Sequence, residues 1–225
     1  MKTILLEGPR RNALSTALLE NLLAQLQAAE GDALLLRGAP GAFSAGVDLK
    51  EIGAAAPQQL AHFLQLLDEV SCMLFNWPRP TVALIDGHAI AGGSIVCNAC
   101  DIRVCEDDGR IRIGLTELKV GVPFPPKVLA QVRHRVRAAE RVILEAGLYD
   151  PQTALRLGLV DEVRHNAEPW AVRKLQELER IDPGLYAETK AGFRAGVTDV
   201  PNGDIGQRWV DIQPRIRAFL ASLKR

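Results

Sequence analysis

The sequence lacks net charge, because 27 lysine and arginine residues balance 27 aspartate and glutamate residues among 225 positions. A neutral chain has no overall positive field, so we expect no nucleic acid and no anionic membrane as a partner, and local groups must hold any anionic ligand. An apolar run of about 18 residues is also missing, which argues against a membrane-spanning helix. With 48% hydrophobic residues, the chain can still form the core of one domain, with or without a helical appendage.

Cysteine is scarce, and the four that occur are Cys72, Cys97, Cys100 and Cys105. Cys97 and Cys100 form a C-x-x-C pair, but no second Cys/His pair at finger-like spacing completes the four ligands that zinc requires. We therefore predict buried free thiols among apolar neighbours and no bound metal. This cysteine usage predicts a cytoplasmic location, as does an N-terminal stretch that is typical of a strand rather than a secretory leader.

Buried strands and amphipathic helices alternate along most of the chain. Apolar runs predict strands at 4–6, 33–36, 81–85, 102–104 and 159–163, and alternation predicts a half-exposed strand at 110–113. Helix signals begin after Ser15, at Pro57, at the Gly92-Gly93 turn and from Pro126 onward. Strands that alternate with helices predict an α/β fold with right-handed crossovers.

The tail from about Ala167 has the pattern of three amphipathic helices, separated by Asp182-Pro183-Gly184 and Pro201-Asn202-Gly203. The apolar faces of such helices must be covered, either by the rest of the chain or by another subunit. We therefore divide the chain into a core at 1–166 and a C-terminal helical region at 167–225.

Two glycine-containing turns, 42–50 and 86–94, each follow a buried strand. Glycine lets the backbone approach a ligand closely, and a helix N-terminus offers free amide donors. One amide from each turn could converge on a carbonyl oxygen as an oxyanion hole, although such turns also serve plain packing. Neither turn matches the patterns G-x-G-x-x-G, G-x-x-x-x-G-K-[ST] or G-x-S-x-G, which argues against dinucleotide, P-loop and serine hydrolase sites.

Three segments resemble the fingerprints of the crotonase (enoyl-CoA hydratase/isomerase) superfamily in order and separation. They are Arg11-Asn12-Ala13-Leu14-Ser15, Ala42-Phe43-Ser44-Ala45-Gly46-Val47-Asp48-Leu49 and Gly87-His88-Ala89-Ile90-Ala91-Gly92-Gly93. The resemblance covers roughly residues 3 to 165. It implies an α/β spiral of β-β-α repeats, whose C-terminal helices build a homotrimer or a hexamer. The stretch before Arg11 is short for that family, so we expect most of the first hairpin to be missing.

The resemblance also implies an acyl-CoA site, with coenzyme A as part of the substrate and no separate cofactor. The thioester oxygen would lie between the backbone amides of Val47 and Gly92. Binding positions implied along the CoA path and around the reacting group are Ala45, Gly46, Asp48, Leu49, Lys50, Gly93 and Ile95. For the CoA phosphates, Lys50 and Arg10 or Arg11 are candidates, with solvated surface charge as the alternative.

The choice of reaction depends on two positions. Hydratases of this family use two glutamates, and here the first position holds Ile95, which cannot transfer a proton. Glu117 occupies the second position, within Gly114-Leu115-Thr116-Glu117, in a loop similar to that of single-glutamate Δ3,Δ2-enoyl-CoA isomerases. We therefore predict that Glu117 moves a proton between C2 and C4 of 3-enoyl-CoA. For this role burial should raise its pKa toward neutrality.

Three other functions remain open on the sequence alone. The same oxyanion hole could serve an enoyl-CoA hydratase, or a decarboxylase that acts on an acyl-CoA or a carrier-bound acyl chain. A non-catalytic acyl-CoA-binding subunit is the alternative outside catalysis, and the presence of Glu117 argues against it. For His88, beside the second turn, we predict packing or hydrogen bonding rather than proton transfer.

Overall fold

A computed structural model describes residues 1–222, within which the strands form two parallel sheets of five and three strands. The strands are β1 (Lys2–Leu6), β2 (Leu34–Gly38), β3 (Ala42–Ser44), β4 (Thr81–Ile85), β5 (His88–Ile90), β6 (Ile102–Glu106), β7 (Ile113–Gly114) and β8 (Glu162–Arg164). The helices are α1 (Pro9–Asn12), α2 (Thr16–Gln27), α3 (Leu49–Ala54), α4 (Pro57–Phe75), α5 (Gly92–Ala99), α6 (Glu117–Val120), α7 (Pro126–Arg135), α8 (Ala139–Glu145), α9 (Pro151–Leu157), α10 (Ala167–Leu178), α11 (Pro183–Arg194) and α12 (Ile205–Ser222).

The larger sheet has the order β1-β2-β4-β6-β8 and the smaller has the order β3-β5-β7. The middle strands β2, β4 and β6 are each followed along the chain by a short strand of the small sheet and then by a helix, which makes three turns of a spiral. The first and last strands, β1 and β8, have no counterpart in the small sheet. This architecture confirms the predicted α/β fold of β-β-α repeats.

Local signals position most of these elements. Ser15 begins α2 because its side chain accepts a hydrogen bond from the backbone N–H of Leu18 at 3.2 Å. The apolar stripes of α2 and α4 are buried in one large core beside the sheet. The other face of the large sheet is covered by Ala167, Ala171 and Leu175 of α10. The inner strands β2, β4 and β6 are thus largely shielded from water on both faces, as their apolar runs indicate, whereas the edge strands β1 and β8 keep exposed residues.

Short elements differ from the sequence prediction. The glycine-containing turn predicted at 42–50 begins with a short strand, β3, which the apolar runs did not indicate. The predicted half-exposed strand at 110–113 is reduced to the two residues of β7, and the last strand begins at Glu162 rather than at Leu159. Strands of two or three residues are held by pairing to distant chain segments, so their own sequence carries little signal.

The helical tail packs on the rest of the chain to different degrees. The predicted division at residue 167 coincides with the first residue of α10. Whereas α12 packs on α3 and α4, α11 buries Arg194 alone among its residues and leaves Leu185 and Phe193 exposed. Residues 223–225, part of the predicted C-terminal region, lie outside the described residues. No helix within residues 1–222 has the length and apolar character needed to cross a membrane.

Candidate active site

The first turn of the site holds the Val47 peptide rigidly. Leu14 N–H donates to the carbonyl oxygen of Gly46 at 2.8 Å, and Asp48 N–H donates to that of Leu14 at 2.9 Å. Gly46 itself has φ +87°, a left-handed conformation that favours glycine. Within residues 1–222 the Val47 N–H donates to no other group. It is therefore a fixed donor that is free to bind a ligand.

The second turn presents the N-terminus of α5. Ala91 precedes the helix at φ 50° and ψ −119°, an uncommon conformation for a residue with a side chain. Its N–H donates to the carbonyl oxygen of Gly114 at 2.7 Å, which anchors the turn to β7. Gly92 is the first helical residue, so its N–H has no partner in the helix. Backbone strain at such a position is typical of functional sites.

The two turns are in backbone contact. A Cβ atom on Gly46 would lie 3.2 Å from the amide nitrogen of Gly92, and one on Gly92 would lie 3.3 Å from the amide nitrogen of Val47. A Cβ on Gly93 would come within 2.5 Å of the carbonyl oxygen of Ser44. Glycine is thus required sterically at Gly93, and also at Gly46, where a Cβ would lie 2.7 Å from the carbonyl oxygen of Ile90. The arrangement places two unpaired amide donors side by side.

Glu117 begins α6, in the segment that follows the small sheet. Pairing of β5 with β7 aligns Ile90 with Gly114, which brings the base of this segment beside the Gly92 turn. The Glu117 side chain is buried, with 5% of the residue exposed, and no other residue within 1–222 donates a hydrogen bond to either carboxylate oxygen. Burial raises the pKa of Glu117 from 4.5 to about 7. A carboxylate in this state can accept and release a proton near neutral pH.

Ile95 lies in the first turn of α5, where it is buried with 4% exposed. Its backbone N–H donates to the carbonyl oxygen of Ala91 at 3.1 Å, so it belongs to the same turn as Gly92. The side chain supplies an apolar surface and no proton.

The predicted CoA-binding residues fall into two groups. Ala45 and Leu49 are half-buried and Lys50 is exposed at the start of α3, so all three are accessible beside the Val47 turn. Asp48 is buried instead, and its carboxylate caps α3 by accepting from Lys50 N–H at 3.1 Å and from Glu51 N–H at 3.4 Å. It also forms an ion pair with Arg10. These contacts give Asp48 and Arg10 structural partners within the chain.

His88 and the four cysteines were the other residues considered for chemistry. His88 accepts a hydrogen bond at Nδ1 from Arg112 N–H at 3.0 Å, in agreement with the predicted hydrogen-bonding role. Cys97, Cys100 and Cys105 are buried, and burial raises the pKa of Cys100 to about 12, which makes it a poor nucleophile. Cys72 is half-buried, so the prediction that all four thiols are buried was wrong there. Within the described chain, no three His, Cys, Asp or Glu side chains are placed to hold a metal ion.

Sequence reasoning missed a backbone turn at residues 10–12, which is joined to the Val47 turn because Ala45 N–H donates to the carbonyl oxygen of Arg11 at 3.0 Å. Arg10, Arg11 and Asn12 have φ values of 54°, 60° and 56°, so α1 is a left-handed turn. Asn12 holds it, because its Nδ2 donates to the carbonyl oxygens of Ala39 at 3.1 Å and Ala42 at 2.8 Å. Asparagine tolerates this conformation, and its place in Arg11-Asn12-Ala13 was the available signal.

The fold and the candidate site thus combine a spiral of β-β-α repeats, two unpaired amides on adjacent turns and a buried carboxylate in the segment that follows the small sheet. The family model described as enoyl-CoA hydratase/isomerase matches residues 1–207. The chain belongs to this family, and the crotonase resemblance is confirmed.

Some relatives of the chain are named isomerases and others are named hydratases. Human mitochondrial enoyl-CoA delta isomerase 1 is 34% identical over 92% of this chain and 70% of its own length. A putative enoyl-CoA hydratase of Thermus thermophilus is 32% identical over 93% of this chain and 90% of its own length. The crystal structure of human mitochondrial delta3-delta2-enoyl-CoA isomerase superimposes with a TM-score of 0.90 at 28% identity, covering 96% of this chain and 91% of that one.

Proposed function

We propose that this enzyme shifts the double bond of 3-enoyl-CoA to give 2-trans-enoyl-CoA, with Glu117 as the proton carrier. The observation that carries the proposal is a single buried carboxylate without a partner, whose pKa is raised to about 7, in a site whose other acid position holds Ile95. Similarity to the human isomerase supports the same reaction.

The proposed mechanism uses the two free amides and the carboxylate in turn. The N–H groups of Val47 and Gly92 donate to the thioester oxygen and stabilise the negative charge that develops when C2 loses a proton. Glu117 takes that proton and returns it at C4, so the double bond moves and the carboxylate is regenerated. No water enters the reaction, and the apolar Ile95 helps to keep water out. Coenzyme A takes part as a portion of the substrate.

Hydration of 2-enoyl-CoA is the second candidate, and the Thermus relative's name favours it. It requires one group to activate water and another to handle the proton at C2. Ile95 argues against it, because the side chain has no group that can activate water.

The deciding experiment supplies 3-enoyl-CoA and 2-enoyl-CoA in separate reactions. Formation of the conjugated thioester is followed by ultraviolet absorbance, and addition of water is followed by mass. We expect rapid conjugation of the 3-enoyl substrate and little hydration of the 2-enoyl substrate. Faster hydration than isomerisation would assign the chain to the hydratases.

Helix α11 exposes large apolar side chains, which bears on the assembly of the protein. We propose a homotrimer or a hexamer, in which α11 meets a neighbouring subunit, because Leu185 and Phe193 expose 63% and 77% of their surface on that helix. The cytoplasmic location stays a prediction, and the human relative carries the word mitochondrial in its name.

A further inference from the structure

One face of α12 is buried against the site, and it is not wholly apolar. Its buried residues are Ile205, Trp209, Gln213 and Ile216, which recur at helical spacing. Trp209 is 1% exposed and Gln213 is 8% exposed. Buried polar groups cost free energy unless they form hydrogen bonds, so the partners of these two side chains indicate what the helix holds in place.

Trp209 binds the segment that carries Glu117. Its indole Nε1–H donates to the carbonyl oxygen of Pro123 at 3.1 Å, and its ring packs on Phe63 with centroids 6.1 Å apart. The preceding residue, Val122, donates its N–H to the carbonyl oxygen of Glu117 at 3.0 Å. Trp209 is therefore connected to the backbone of Glu117 by these two hydrogen bonds, through the adjacent residues Pro123 and Val122.

Gln213 binds the helix that follows Val47. Its Nε2 donates to the carbonyl oxygens of Ile52 and Ala55, both at 2.8 Å, at the C-terminal end of α3. Carbonyl groups at a helix end have no partner in the helix, so these bonds fix the end of α3. The other end of α3 is capped by Asp48, the residue after Val47.

We infer that α12 is a brace across the active site, in which Trp209 and Gln213 are positioning residues that hold the Glu117 segment and the Val47 turn in a fixed relation. This inference rests on the proposed function. Neither residue needs to touch substrate, because each acts through a backbone carbonyl of the segment it holds. Catalysis by a carboxylate and two amides requires fixed geometry, and a displacement of about 1 Å can cost as much as a hundredfold in rate.

The first test is Trp209→Phe, which keeps an aromatic ring and removes the N–H. Trp77→Phe is the matched control, since Trp77 is also buried and donates its Nε1–H to a backbone carbonyl, that of Asp32 at 2.8 Å, away from the site. We expect the Trp209 variant to lose roughly ten- to a hundredfold in kcat with a smaller change in KM. We expect the Trp77 variant to keep its kcat despite a similar loss of stability.

The pH dependence of kcat/KM, which reports ionisations of the free enzyme, separates positioning from general destabilisation. Burial raises the pKa of Glu117 to about 7, so if the brace keeps Glu117 buried, the apparent pKa of kcat/KM in Trp209→Phe should lie below that of the parent. Gln213→Met should also lower kcat, with Gln207→Met on the exposed face of the same helix as its control. Equal kcat and equal pH profiles in the Trp209 and Trp77 variants would overturn the inference.

Amide hydrogen exchange can be measured without enzyme activity. It therefore tests the positioning role of α12 separately from the proposed reaction. Amide hydrogen exchange should accelerate at 117–122 in Trp209→Phe and at 49–55 in Gln213→Met, with neither region affected in Trp77→Phe. If the parent fails to isomerise 3-enoyl-CoA while these changes occur, the proposed reaction is wrong and the brace stands. If exchange in both regions stays at the parent rate, the brace is wrong, whatever the activity.

Discussion

A Cβ atom on Gly92 would lie 3.3 Å from the backbone nitrogen of Val47 and 2.9 Å from Cδ1 of Leu14. Any side chain at Gly92 would therefore occupy the space beside the two free amides. We expect Gly92→Val to lower kcat by about 10²–10³, the usual cost of losing one oxyanion donor. Steady-state isomerisation measures this change.

The control for Gly92→Val is Gly109→Val in the exposed turn between β6 and β7, where a Cβ would meet nothing within 4 Å. That variant should isomerise at the parent rate. Normal isomerisation by Gly92→Val would mean that the thioester oxygen binds elsewhere.

Removal of the ionisable group at Glu117 tests its role as proton carrier. We expect Glu117→Gln to keep the fold and to bind the CoA ester, because the amide has nearly the same shape. It should lose nearly all isomerisation, since an amide cannot take a proton from C2. Glu140→Gln, at an exposed position on α8, is the control. A rate in Glu117→Gln within about tenfold of the parent would remove this residue from the mechanism.

The raised pKa of Glu117 also predicts how stability depends on pH. The folded chain keeps the proton up to a pKa of about 7, whereas the unfolded chain releases it near 4.5. Ionisation therefore favours the unfolded state, so this contribution to stability is present below pH 4.5 and lost as the pH rises to about 7. Between roughly pH 5 and pH 8 the free energy of unfolding should fall by about 2–3 kcal/mol relative to Glu117→Gln.

Denaturant titrations of the parent and Glu117→Gln across that range measure the difference. A difference in unfolding free energy that stays constant with pH would mean that Glu117 is not buried as described.

Ile95→Glu separates isomerisation from hydration. The new carboxylate would stand in the first turn of α5, where a hydratase of this family has its first glutamate. We expect the ratio of hydration to isomerisation to rise, although the added carboxylate is costly to bury and its pKa will be high. Ile95→Gln controls for polarity without ionisation. An equal rise of the ratio in both variants would show that the added carboxylate does not activate water.

The exposed face of α11 predicts an oligomer. Leu185 and Phe193 are eight residues apart, so they lie on one side of the helix. We expect Phe193→Asp to shift the assembly toward smaller species in light scattering, whereas Gln176→Asp on the exposed side of α10 should leave it unchanged. A parent that is monomeric at micromolar concentration would contradict the proposed trimer.

Much of the fold could be predicted because its signals are local. The cap at Ser15, the apolar stripe of α4 and the continuous apolar run of β4 each lie within one segment. The left-handed turn at Arg10–Asn12 could not be predicted in this way, because it is stabilised by contacts of Asn12 with Ala39 and Ala42. The contacts of Trp209 with Pro123 and of Gln213 with the end of α3 could not be predicted for the same reason.

The sequence by itself determined the family and the identity of the candidate residues, since these depend on the order and spacing of short motifs. It placed Glu117 in one loop and glycine in both turns. Only the tertiary structure decided the burial and the pKa of Glu117 and which backbone amides have no partner. Helices α8 and α12 pack on α6, where Glu117 is buried, and its pKa rises to about 7 because burial removes the water that would stabilise its charge. Desolvation depends on all the segments around a group, so no single motif could specify it.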